Sequence, residues 1–189
     1  KPKVDPNSSR KVILSVGRLV FQKDHKTLID AYAMLADEFP EWNLKIFGDG
    51  ELRLKLEVQI EKLNLQERIQ LPGTIPDVAE EFLLAQIFIV PSLYESFGLA
   101  TAEALVSGLP VLGFADCSGT NELIKHNQNG ILVSGPDRVL ALADGMRDLM
   151  SSSELRERLG GEGPHSMADF SREKICCKWE ELLRKWAEV

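Results

Sequence analysis

No stretch of the chain reaches the ~20 consecutive apolar residues that crossing a bilayer requires, and the opening KPKVDPNSSR is neither a signal peptide nor an anchor. Positive charge is in deficit: Lys and Arg total 22 against 29 Asp and Glu, a formal net charge of -7. Such a chain offers no broad positive field to nucleic acid or to an anionic membrane, so an anionic ligand has to be held by a few cations placed locally. Cysteine is scarce. The three present, Cys117 and the neighbours Cys176 and Cys177, form no CxxC and no Cys/His spacing of a zinc site, and no metal is expected. Adjacent cysteines in a helix point apart and should not pair; partly buried packing in a reducing, cytoplasmic setting suits them. Internal repeats and low-complexity tracts are missing as well. So is the GxGxxG that opens the first helix of a dinucleotide-binding domain: here the first strand ends VGRL, which sets aside a nicotinamide-dependent oxidoreductase.

What is present is apolar sequence, 44% of 189 residues, enough to bury one substantial core in a single domain. Residues 1–10, rich in Pro, Ser and Asn without periodicity, read as a linker feeding a domain over residues 11–189. Short apolar runs at Lys11–Val16, Asn43–Phe47, Ile69–Leu71, Ile87–Val90, Val111–Phe114 and Ile131–Val133 have the length and β-branched content of buried parallel strands. Between them lie helical patterns. His25–Phe39 places Leu28, Ile29, Tyr32, Leu35, Ala36 and Phe39 on one face before Pro40; Leu52–Leu63, Asp77–Ala85, Leu99–Ser107 and Asn121–Lys125 follow. Strict alternation predicts an α/β fold, a Rossmann-like doubly wound parallel sheet with helices on both faces. After Val133 only helices are expected, at Val139–Met150, Glu154–Leu159 and Arg172–Trp186, making a helical C-terminal tail. The stripe Ile175, Trp179, Leu182, Leu183 and Trp186 is expected to pack on the domain's own body.

Open parallel sheets bind ligands at the carboxyl ends of their strands, which directs attention to four loops. The first carries Gly17, Arg18 and Lys23, a forked guanidinium and a mobile point charge that together suit a diphosphate. The second is Gly48-Asp49-Gly50. The fourth strand runs into PSLYESFG and a helix, where Phe97-Gly98-Leu99 would turn backbone N–H groups and a positive helix end toward a phosphate. Glu95 lies in that loop and Glu103 about one turn inside the helix, where an ionised carboxylate could accept from both hydroxyls of a ribose. The fifth strand ends in Asp116-Cys117-Ser118-Gly119-Thr120. His25, beside the first loop, is expected to be structural, and His126 and His165 to lie at the surface.

Taken together, VGRLVFQKDHKTLIDAY, GDGELR, PSLYESFGLATAEAL, GLPVLG and SGTNELI resemble the C-terminal domain of the group-one, family-four retaining glycosyltransferases of GT-B architecture, over nearly the whole chain. The E-x7-E pattern from Glu95 to Glu103, placed after a strand, is the specific part. The resemblance implies a domain that binds a nucleoside-diphosphate sugar, UDP-sugar favoured, for transfer of a hexosyl group to an acceptor hydroxyl, with no separate cofactor. It assigns Arg18 and Lys23 to the diphosphate and the leaving nucleotide, Glu95 to the transferred sugar, Glu103 to the ribose, and Phe97, Gly98 and Leu99 to the phosphate. Gly17 is counted with the binding residues, Gly48 and Asp49 shape the same cleft, and Thr74 and Ile75 fall in the loop that meets the base. It further implies an N-terminal acceptor domain, absent from this sequence, through which any membrane contact of the full-length enzyme would be made. The domain alone would then be inactive. A non-catalytic nucleotide-sugar sensor or scaffold stays open, and an upstream acceptor domain would separate the two.

Overall fold

The computed structural model describes residues 11–187, so the expected linker over residues 1–10 lies outside them. Strands β1 (Lys11–Val16), β2 (Trp42–Phe47), β3 (Ile69–Gly73), β4 (Ile87–Val90), β5 (Val111–Phe114) and β6 (Gly130–Val133) form one sheet in the order β3-β2-β1-β4-β5-β6. Every pairing is parallel. The doubly wound α/β fold is therefore the one the alternation of elements predicts, and strand order reverses between β1 and β4.

Strand period two explains how both faces are covered. Ile13, Leu44, Ile46, Ile87, Ile89, Leu112 and Phe114 point to one face, where they meet α1 (His25–Ala33), α2 (Arg53–Lys62) and α6 (Arg138–Ser151). Leu14, Phe47, Phe88, Val90 and Val111 point to the other, under α3 (Ala79–Leu84), α4 (Leu99–Val106) and α5 (Thr120–Leu123). Helix α7 (Ser153–Ser166) closes the β6 side, touching both α4 and α6, and α8 (Arg172–Ala187) follows.

Four local expectations change. Helix α1 stops at Ala33 rather than Phe39; the chain continues in turns through residue 38, still burying Leu35 and Ala36. The carbonyls of Ala36 and Phe39 turn to the Arg68 guanidinium, at 3.3 and 2.9 Å, instead of continuing a helical ladder. Helix α7 runs well past Leu159 through Gly160, Gly161, Gly163 and Pro164, a sequence poor in helix propensity. Tertiary packing overrides that propensity: a side chain on Gly160 or Gly163 would collide with the carbonyls of Gly108 and Leu105, so only glycine lets α7 lie this close to the end of α4. Third, the apolar stripe of α8 is not packed on the domain, for Trp179, Leu182, Leu183 and Trp186 are all exposed. Fourth, Cys176 and Cys177 on that helix are exposed rather than partly buried, while Cys117 is buried.

Candidate functional site

Backbone pairing does not stop where the strands do. Gly17 N–H donates to the Phe47 carbonyl at 2.9 Å, Leu19 N–H to Asp49 at 2.9 Å and Gly48 N–H to Gly73 at 2.8 Å, so the loops after β1, β2 and β3 form one rigid rim. Beyond Leu19 a single 3-10 turn (Phe21–Lys23) carries the chain into α1, whose N-cap Asp24 accepts from the N–H of Thr27. That turn sets Lys23 against the loop after β4. Leu93 N–H donates to the Gln22 carbonyl at 2.9 Å, and the Gln22 amide donates to the Tyr94 carbonyl at 2.8 Å, tying the two loops together.

At their junction Lys23 Nζ lies 2.5 Å from Glu95 Oε1, the two side chains only 19% and 10% exposed. The same carboxylate oxygen accepts from Ser92 Oγ at 2.7 Å. Behind it stands the loop after β5: Glu95 N–H donates to the Ser118 carbonyl at 3.0 Å, and Gly119, with φ 78°, presses so closely that a side chain there would strike the Glu95 carbonyl. Gly98, φ 85°, is the N-cap of α4 and offers no side-chain cap, leaving the first N–H groups of that helix open toward the cleft.

Gly17, Arg18, Lys23, Glu95, Phe97, Gly98, Leu99 and Glu103 all line one cleft of about 590 Å³ between β1 and β4, at the carboxyl edge of the sheet. Gly48, Thr74 and Ile75 line an adjoining recess of about 250 Å³, which shares Gly17 and Arg18 with the main cleft. The residues singled out in the sequence are thus brought together. Arg18 is exposed at the rim and, among the described residues, makes no ion pair, whereas Lys23 is engaged. Glu103 projects from α4 at the surface. A larger depression of about 950 Å³, which shares Phe97, Leu99 and Glu103 with the cleft, is mainly apolar and is lined by the carboxylates Asp77 and Glu103 but by no cation, and so does not suit a diphosphate.

The histidine beside the site stays neutral. Burial first, and the nearby Lys23 charge second, lower the pKa of His25 to about 4, in keeping with a structural role. His126 and His165 are at the surface. Burial raises the Cys117 thiol above its ordinary value, making it a packing group rather than a nucleophile. Sequence reasoning named the loops that contain Ser92, Ser118 and Gly119 without giving these residues a role, and passed over Arg138 altogether. Only the glycine, in a loop after a strand, carried a signal; Ser and Arg at such positions have none.

The family model of the glycosyl transferases group 1 matches residues 1–166. An exopolysaccharide phosphotransferase of Streptomyces coelicolor is 33% identical over 174 residues, covering 92% of this chain and 18% of that protein. A pneumococcal O-GlcNAc transferase solved with UDP and GlcNAc superposes with a TM-score of 0.85 at 26% identity, over 96% of this chain and 37% of that one. The C-terminal domain of a group 1 family protein of Francisella tularensis superposes with a TM-score of 0.77 at 25% identity, over 87% of each chain. The chain spans less than half the length of its curated relatives, between 18% and 49% in the examples compared.

Proposed function

The chain belongs to the glycosyl transferases group 1, and we propose that it holds the nucleotide-sugar donor of a retaining member of that family. One observation carries this reading. A cation and a carboxylate from the loops after β1 and β4, Lys23 and Glu95, are held in contact in the crevice where strand order reverses, beside the open start of α4 and Arg18, which has no ion-pair partner among the described residues.

The chemistry follows from what each group can do. Arg18 offers a fork to one phosphate, Lys23 a point charge to the other, and the N–H groups at the start of α4 complete an anion site. Glu103, lower on the same helix, accepts from the ribose hydroxyls, and the recess at Gly48, Thr74 and Ile75 receives the base. Glu95 is left on the sugar side. As the bond from the anomeric carbon to the diphosphate oxygen breaks, negative charge grows on the leaving nucleotide, and Arg18 and Lys23 stabilise it where it develops. A second domain holds the acceptor, whose hydroxyl attacks from the face the diphosphate leaves and passes its proton to the departing phosphate oxygen, so the configuration is retained. Glu95 then acts by position and charge rather than as a nucleophile. The pneumococcal relative was solved with UDP, which supports a UDP-sugar as the first donor to test.

Calorimetric titration of this chain with UDP-, GDP- and ADP-sugars tests the proposal. One class should bind saturably, and Lys23→Ala should weaken it by about tenfold, the scale of one charge-assisted hydrogen bond. No heat and no saturable change with any nucleotide sugar would sink it.

A further inference from the structure

Arg138 opens α6, directly after the N-cap Asp137 and one residue before the helix start expected from the sequence. In the fold its guanidinium turns back over the carboxyl edge of the sheet and lies face-on to the buried ring of Phe114, 3.6 Å from the centroid. From there it reaches every loop on that half of the sheet. Nη2 donates to the carbonyls of Pro91 and Ser92, at 3.0 and 3.3 Å, after β4. Nη1 donates to Asp116, at 3.3 Å, after β5, and Nε lies 3.4 Å from Asp24 Oδ2, after β1, an ion pair without a hydrogen bond. Arg138 itself follows β6. One side chain therefore ties together the loops of four strands that are neighbours in the sheet, β1, β4, β5 and β6.

Two of those contacts lead straight to the Lys23–Glu95 pair. Asp24 is the residue after Lys23, and Ser92 is both held by its carbonyl and bonded through Oγ to Glu95 Oε1 at 2.7 Å. We infer that Arg138 is a positioning residue for the donor site: by fixing the Asp24 and Pro91–Ser92 ends of two loops at once, it sets the separation at which Lys23 meets Glu95. The guanidinium fork is what allows this, since Nη1 donates to the Asp116 carboxylate and Nη2 to the loop carbonyls while the same charge pairs with Asp24. A lysine would keep the charge but could not span the same partners. The functional half of this inference rests on the assignment of Lys23 and Glu95 to the donor.

The first measurement needs no ligand. A lysine ammonium held in a sheltered ion pair exchanges its protons slowly enough to be seen by nitrogen-proton NMR, and the Lys23 signal is assigned by its loss in Lys23→Arg. Arg138→Met should remove that signal or move it to the position of free lysines, and Arg138→Lys should shift it the same way by less. If Arg138→Met fails to fold, Arg138→Lys decides. A lowered melting temperature with an unmoved Lys23 signal would mean that Arg138 only braces the fold, and an absent signal in the parent would mean that no fixed pair exists; either overturns the inference. The second measurement is UDP affinity, expected to fall about tenfold in Arg138→Met, because Lys23 then loses its fixed place in the cleft as well as its partner, and not to fall further when that change is added to Lys23→Ala. Full additivity of the two changes would again overturn it. A parent that binds no UDP defeats the donor assignment instead, and leaves the ligand-free signal to judge Arg138.

Discussion

Replacing Glu95 by Gln should make the domain bind UDP more tightly and UDP-sugar relatively less well. Lys23 Nζ has a partner within the protein, Glu95 Oε1 at 2.5 Å, and both side chains are largely withdrawn from water. A diphosphate entering the cleft must share that ammonium or take it over. Gln keeps the shape of the side chain and can still accept from Ser92 Oγ, so the loop after β4 keeps its fold while the competing charge is gone. At an effective dielectric near 20, two unit charges 4 Å apart interact by about 4 kcal/mol, but much of that is offset by solvent and by the remaining partners. The net value of a charged hydrogen bond, about 1.5–3 kcal/mol, is the better guide, and its lower end corresponds to about tenfold in affinity. Calorimetry with UDP should therefore show Glu95→Gln binding about tenfold tighter than the parent. A UDP-sugar, which loses the carboxylate on its sugar side, should gain less or nothing. If UDP affinity is unchanged or weaker while Lys23→Ala still weakens it, Lys23 does not pass from Glu95 to the diphosphate and the two groups have been assigned to the wrong ends of the donor.

The other carboxylate makes a different prediction: Glu103→Gln should cost about tenfold in UDP affinity but little with the 2′,3′-dideoxy analogue, because only the ribose presents donors to the carboxylate. An equal loss with both analogues removes Glu103 from the ribose. For His25 the test is acid stability. Its pKa is about 4 in the folded protein against 6.5 in the unfolded chain, so its contribution is fully present above pH 6.5 and is lost as pH falls toward 4, about 1.4 kcal/mol per unit and about 3 kcal/mol in all. Denaturant titrations between pH 7 and 4 should show a shallower slope in His25→Leu than in the parent; identical slopes would place the acid sensitivity elsewhere.

The loops of the candidate site were legible because their chemistry is local. A glycine after a strand, a cation pair within six residues and two glutamates around one helix start are all patterns that a single loop displays. The contact between Lys23 and Glu95 is not of that kind: 72 residues separate the partners, and only the adjacency of β1 and β4 brings them together. Order along the sheet cannot be read from alternation alone, and the same holds for Arg138, whose partners lie in three other loops. Helix α7 was only half visible for a different reason. Gly160, Gly163 and Pro164 lower its propensity, and what they supply in return, close approach to the backbone at the end of α4, appears only once that neighbour is in place.

Helix α8 shows where periodicity stops informing. Its stripe has the same signature as that of α1, yet α1 buries Leu28, Ile29 and Tyr32 completely while Trp179 and Trp186 stand 60% and 74% exposed. The difference lies not in the two sequences but in what remains to be covered when each is laid down. Helices α1, α2 and α6 already cover one sheet face, α3, α4 and α5 the other, and α7 closes the β6 side. No sheet face is left for a further amphipathic helix, so the apolar period of α8 marks a face suited to burial without naming a neighbour within residues 11–187. An apolar stripe therefore predicts packing on its own domain only while an uncovered face remains, a condition set by the count of helices before it rather than by the stripe itself.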